Sequence, residues 1–203
     1  MRVPAHKRLR ELPEVFTTNT LAATLGGDLK SASVYLSRWR KEGLISSIGP
    51  RAKLHFNLLV DPRSERDQML DAVAYLYPGA VIAGASAVHA AGWTTQIPRS
   101  TEIMVINRRS LVQINDFVIE SRPISWFKEA RKRIYREGPV PVIDPGFALA
   151  DLWKTGSWRP DPDDLEWDMI DLSALERDFA ELGLELPSEW REEAEYSGPR
   201  YAP

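Results

Sequence analysis

The sequence predicts an α+β fold: an N-terminal winged helix-turn-helix over residues 1–60, followed by a mixed α/β domain over residues 61–203. Three observations predict it. "LAATLGG" and "DLKSASVYLSRWRKEGLI" repeat apolar residues at helical spacing on either side of a Gly-Gly break. Two strand-like runs, "LISSIG" and "KLHFNL", then flank the turn "GPRA". Beyond residue 61, helical and strand-like runs intermingle in a chain of 203 residues, long enough for two small cores.

In the first helix Leu21, Ala22 and Leu25 fall at i, i+1 and i+4, with Thr17, Thr18 and Asn19 available as caps. Gly26 and Gly27 break it, and Asp28 is placed to cap the next helix. There Ala32, Leu36 and Trp39 form one apolar stripe at i, i+4 and i+7, and Gly43 ends it. Two amphipathic helices joined by a short Gly-containing turn are a helix-turn-helix. The hairpin that follows makes a wing, with Arg51 and Lys53 at its tip.

With the stripe inward, Lys30, Ser31, Val34, Tyr35 and Arg38 point outward near the start and middle of the second helix, the part of such a motif that enters the major groove. Arg or Lys bonds guanine, Ser bonds several base edges, and Val or Tyr meets a thymine methyl. Arg38, Arg40 and Lys41, with Lys7, Arg8 and Arg10, suit phosphates, and so do Arg51 and Lys53 of the wing. The candidate DNA-binding residues are therefore Lys30, Ser31, Val34, Tyr35, Arg38, Lys41, Arg51 and Lys53. The plain alternative is a solvated basic face, and winged helices also serve as protein-docking modules.

After the connection at Asp61-Pro62, a helix carrying Met69, Leu70, Val73, Ala74 and Leu76 runs to Pro78-Gly79. "GASAVHAAGW" reads as a short, closely packed helix with His89 buried in it. "TEIMVINRR" and "DFVIESRPI" read as strands, with Arg108 and Arg109 at the turn between them. Lys128, Arg131, Lys132, Arg133 and Arg136 then crowd into one stretch: a second polyanion contact, a patch for an acidic partner, or an exposed basic loop. "DPGFALADLW" starts an amphipathic helix with Phe147, Leu149 and Leu152 inward. Leu165, Met169, Leu172, Leu175, Phe179 and Leu182 form the inward stripe of an acidic helical end, and residues 188–203 read as a polar, frayed tail.

A formal charge of −3 conceals a polarity along the chain: residues 1–56 carry +6, residues 57–140 carry +2 and residues 141–203 carry −11. Such asymmetry suggests a basic segment facing a polyanion and an acidic segment facing something else. The absence of cysteine excludes a disulfide framework, Cys-ligated zinc and a thiol nucleophile. His6, His55 and His89 show no metal-ligand spacing, and Asp161, Asp163, Asp164, Glu166 and Asp168 read as helix-start residues complementing a dipole, so neither metal nor cofactor is expected. Ser86 precedes His89 at i−3 without a third partner, and neither a P-loop nor a GxGxxG occurs. An enzyme is not expected. With no signal-peptide pattern and no apolar run of membrane-spanning length, the expectation is a cytoplasmic protein without a membrane partner.

Three stretches resemble the AbiEi-type antitoxins of type IV (abortive infection) toxin–antitoxin systems. "VFTTNTLAATLGGDLKSASVYLSRWRKEGLISSIGPR" is similar to the family's N-terminal winged helix. "VIAGASAVHAAGWTTQIPRSTEIMVINRR" resembles the start of its C-terminal domain, and "VIDPGFALADLW" its later P-x-x-A-L-A-D helix. The wing departs from the family pattern, with "KLHFNL" where a Gly-x-Tyr closing strand is usual. The resemblance implies a phage-defence antitoxin. Its N-terminal domain would bind inverted repeats of double-stranded DNA in its own promoter as a transcriptional repressor, and its C-terminal domain would counter a co-encoded nucleotidyltransferase-like toxin. The alternative is a winged-helix regulator with a ligand- or protein-sensing C-terminal domain, unrelated to a toxin.

Overall fold

The computed structural model describes residues 5–48, 54–62, 65–107 and 116–197, which divide into two compact units, one running to Pro78 and one starting at Gly79. The division falls at 78/79, whereas the sequence suggests 60/61; the helix of residues 65–76 groups with the first unit.

The first unit contains α1 (Ala5–Arg10), β1 (Val15–Thr17), α2 (Thr18–Thr24), α3 (Leu29–Lys41), β2 (Ile45–Ser47), β3 (Leu54–Asn57) and α4 (Glu65–Leu76). Local chemistry sets the helix limits. Thr17 and Thr20 exchange side-chain-to-backbone hydrogen bonds in a capping box at the start of α2. Gly26 and Gly27 have φ of 78° and 91°, a left-handed pair that only glycine adopts without strain, and the Gly27 N–H closes on Ala22 O at 2.7 Å. Asp28 then caps α3, accepting from the Lys30 N–H at 2.9 Å. Ala32, Leu36 and Trp39 are buried as the stripe predicts, in one cluster with Leu9, Leu12, Phe16, Leu21 and Ile45.

The three strands form an antiparallel sheet in the order β1-β3-β2, with Phe16 opposite His55 and Ser46 opposite Phe56. β1 is absent from the sequence reading. Buried Asn57 fastens this sheet to α1: its Nδ2 donates to Leu9 O at 2.7 Å and Leu12 O at 3.1 Å.

The second unit contains β4 (Val81–Ile82), α5 (Gly84–Ala90), β5 (Thr101–Ile106), β6 (Phe117–Arg122), α6 (Ile124–Ala130), β7 (Ile134–Arg136), β8 (Val142–Ile143), α7 (Pro145–Thr155), α8 (Leu172–Glu181) and α9 (Ser188–Ser197). The sheet order is β6-β5-β4-β8-β7, with parallel pairs β5/β6 and β4/β8 and antiparallel pairs β4/β5 and β7/β8. α5 packs on α7, and α7 on α8. Thus the chain is α+β with two sheets.

Two sequence expectations fail in the acidic end. Residues 188–197 are a helix, not a frayed tail, because Trp190 is fully buried and its ring lies 5.0 Å from that of Trp153, 5.9 Å from Trp167 and 5.8 Å from Phe179. Such aromatic packing offsets the weak polar pattern of the helix itself. Met169, expected inside, is 57% exposed because Trp167–Met169 forms a 3-10 turn instead of a helical stripe.

Candidate nucleic-acid interface

Helical geometry puts Lys30, Val34, Ser37 and Lys41 on one outward face of α3, at i, i+4, i+7 and i+11, with Ser33 and Arg38 beside them. All six are exposed. Ser33, Val34, Ser37, Arg38 and Lys41 line a shallow, open depression. Val34, at 60% exposed, is the apolar centre of a polar, cationic surface. Among the described residues, Lys30, Arg38 and Lys41 pair with no carboxylate. Ser33 and Ser37 belong to this face although they are absent from the sequence expectations; their i+3 and i+7 spacing from Lys30 is the signal.

Two expected base readers sit elsewhere. Tyr35 is half-buried: its ring lies 5.4 Å from that of Trp39, and Arg8 of α1 stacks over it at 5.5 Å. The reason is spacing, since Tyr35 is one helical turn before Trp39 and leans onto the core stripe. Its ring therefore meets Arg8 and Trp39 within the first unit. Ser31, also half-buried, hydrogen-bonds the Asp28 cap, and its side chain is the first cause of the lowering of that carboxyl's pKa, ahead of the Ser31 and Lys30 backbone N–H groups. Arg51, Lys53, Arg108 and Arg109 lie outside the described residues.

The basic segment of the second unit is arranged differently. Arg133 pairs with Asp178 and Glu181, Lys132 with Glu129 at 2.8 Å, and Arg131 donates to Gly79 O at 3.2 Å. Lys128 and Arg136 remain exposed. The segment spans α6 and β7, so an open basic loop does not describe it.

Other candidates resolve as structure. The Ser86 hydroxyl accepts from the Glu102 N–H at 2.9 Å and donates to Ser100 O at 3.3 Å. His89, expected buried, is half-exposed. Asp161 and Asp164 cap a 3-10 turn. No group of three or more His, Asp or Glu side chains among the described residues could hold a metal ion, and no described helix is long and apolar enough to cross a membrane. A groove of about 340 Å³ in the second unit is lined by Gln96, Ile97, Arg99, Glu102, Val118 and Trp158, among others. There the Ala85 N–H donates to Glu102 Oε2 at 2.6 Å, while burial raises the Glu102 pKa above its usual value.

No protein-family model and no curated protein sequence matches this chain. Among solved structures, it is similar to the crystal structure of the RV2827C protein from Mycobacterium tuberculosis, with 15% identity and a TM-score of 0.51 over 97% of this chain and 77% of that one, a likeness of fold alone.

Proposed function

We propose that residues 1–60 are a winged helix-turn-helix that binds double-stranded DNA, with the outward face of α3 in the major groove and the β2–β3 hairpin as the wing. The carrying observation is the α3 face: an exposed valine among Lys30, Arg38 and Lys41, none of them neutralised by a carboxylate among the described residues. Lys and Arg there supply base-edge donors and phosphate contacts, and Val34 meets a thymine methyl. A gel-shift titration against the DNA upstream of the gene tests this reading. Sequence-selective binding is expected, to inverted repeats in particular; binding no tighter than to unrelated DNA would refute it.

The whole protein is then a cytoplasmic antitoxin and autorepressor of the type IV class, countering a nucleotidyltransferase-like toxin. Support comes from the sequence resemblance, and from an acidic end suited to a basic, RNA-handling enzyme. Co-expression with the adjacent gene product tests it: rescue of growth is expected, and rescue that persists after Asp161, Asp163 and Asp164 are changed to Asn would remove the acidic end from the account. The groove around Glu102 and Trp158 favours the second reading, a regulator whose C-terminal domain senses a ligand. No rescue, together with intact DNA binding, would select it.

A further inference from the structure

Arg40 differs from the other cations of α3. Its Nη2 donates to Ser47 Oγ of β2 at 2.9 Å. Ser47 Oγ lies 2.8 Å from His55 Nδ1 of β3, and His55 Nε2 lies 3.0 Å from Thr18 Oγ1 at the start of α2. These three contacts can run head to tail in one direction. A guanidinium only donates, so the Ser47 oxygen accepts from Arg40; run head to tail, the chain has the Ser47 hydroxyl giving its own proton to His55 Nδ1. The neutral imidazole then carries hydrogen on Nε2 and donates it to Thr18.

The environment enforces that neutral form. His55 is 4% exposed, with the Phe16 ring of β1 at 5.3 Å, and Arg40 is the charged group acting on it. Burial first, and Arg40 second, hold its pKa at about 4. A proton on Nδ1 would oppose the Ser47 hydroxyl and add a second positive charge near Arg40.

We propose that Arg40 is a positioning residue for the DNA-binding surface, not a phosphate ligand: through Ser47 and His55 it fixes the β2–β3 hairpin and the start of α2 against α3. β2 is a three-residue edge strand paired only to β3, so it has little stability of its own and takes its orientation from what else anchors it. Beside the β1 pairing and Asn57, which hold β3, a chain of hydrogen bonds joining four elements anchors β2 to α3. The inference rests on the DNA-binding reading.

The test is a salt titration of DNA affinity for Arg40→Ala, Ser47→Ala, Ser47→Thr and the double Ala variant, each well below its own Tm. Either Ala change alone should weaken binding about tenfold, the scale of one hydrogen bond to a charged group. The double variant should be no weaker than either, Ser47→Thr should retain affinity, and the slope of log K against log salt should be unchanged. A slope reduced by about one in Arg40→Ala, with Ser47→Ala at parental affinity, makes Arg40 a phosphate ligand and overturns the proposal. Nitrogen-15 NMR of the free protein reads the relay without DNA: the Nε2–H tautomer is expected, and an Nδ1–H ring overturns the relay alone. A parent protein that binds no DNA overturns the DNA reading, and the positioning role with it.

Discussion

On α3, Lys30, Arg38 and Lys41 stand without carboxylate partners among the described residues, whereas in the 128–136 segment Arg133 and Lys132 are neutralised by Asp178, Glu181 and Glu129. The two stretches are both rich in cations and opposite in what surrounds them. Local charge is therefore a weak guide to polyanion binding. What separates the two is whether acidic residues from elsewhere in the chain arrive on the same side. The acidic end supplies Asp178 and Glu181 to one stretch, and none of the ion pairs among the described residues reaches the other.

Acid should separate the units furthest. Below pH 6.5 an unfolded His55 takes up a proton that the folded ring, with a pKa of about 4, refuses. This group therefore leaves the first unit's stability intact above pH 6.5, erodes it as pH falls, and removes about 3 kcal/mol once pH is below the folded value. Asp178 has the opposite sign: burial first, then Asp144, raise its pKa despite Arg133. Its contribution is whole below the ordinary 3.8 and declines as pH rises through the raised value, so mild acid favours the folded second unit through this group. Hydrogen exchange resolved by unit should show protection of residues 5–57 falling between pH 6.5 and 4; equal pH response in both units would break the contrast.

Arg133→Ala comes next. It leaves Asp178 beside Asp144 without its cation, and a loss of about 2 kcal/mol in urea unfolding is expected, with DNA affinity unchanged. Parental stability would show that the pairs are idle. Arg38→Ala should do the reverse: DNA affinity weakened by about 1 to 2 kcal/mol at a single base position, with Tm unaltered. Uniform weakening across all sequences would move Arg38 to the phosphates. Lys41→Ala should lower the salt slope by about one, as a phosphate contact does. Smallest of all, Lys128→Ala should change stability by less than about 0.5 kcal/mol and leave DNA binding intact; a fall in salt slope there would make the second basic stretch a nucleic-acid contact after all.

Legibility followed the range of the cause. α2 and α3 are readable because Thr17, Asp28 and Gly43 act within a few residues of the ends they set, and because one stripe of three apolar residues decides the inward face. Tyr35 was readable too, given weight to its place one turn before Trp39. β1, β4 and β8 span only two or three residues each, and their existence depends on partners far along the chain. The His55 relay joins residues 18, 40, 47 and 55 from four elements, so no local pattern announces it. Trp190 is a single aromatic in an acidic run, and only Trp153, Trp167 and Phe179 give it a place.

That last indole also sets an order of events during synthesis. Translation delivers the first unit first, with its buried Leu54 and Phe56 emerged long before Trp190. The other module must wait, its interior open to water, until position 190 clears the ribosome tunnel. A nascent chain can thus close one interior while the other is still unsealed.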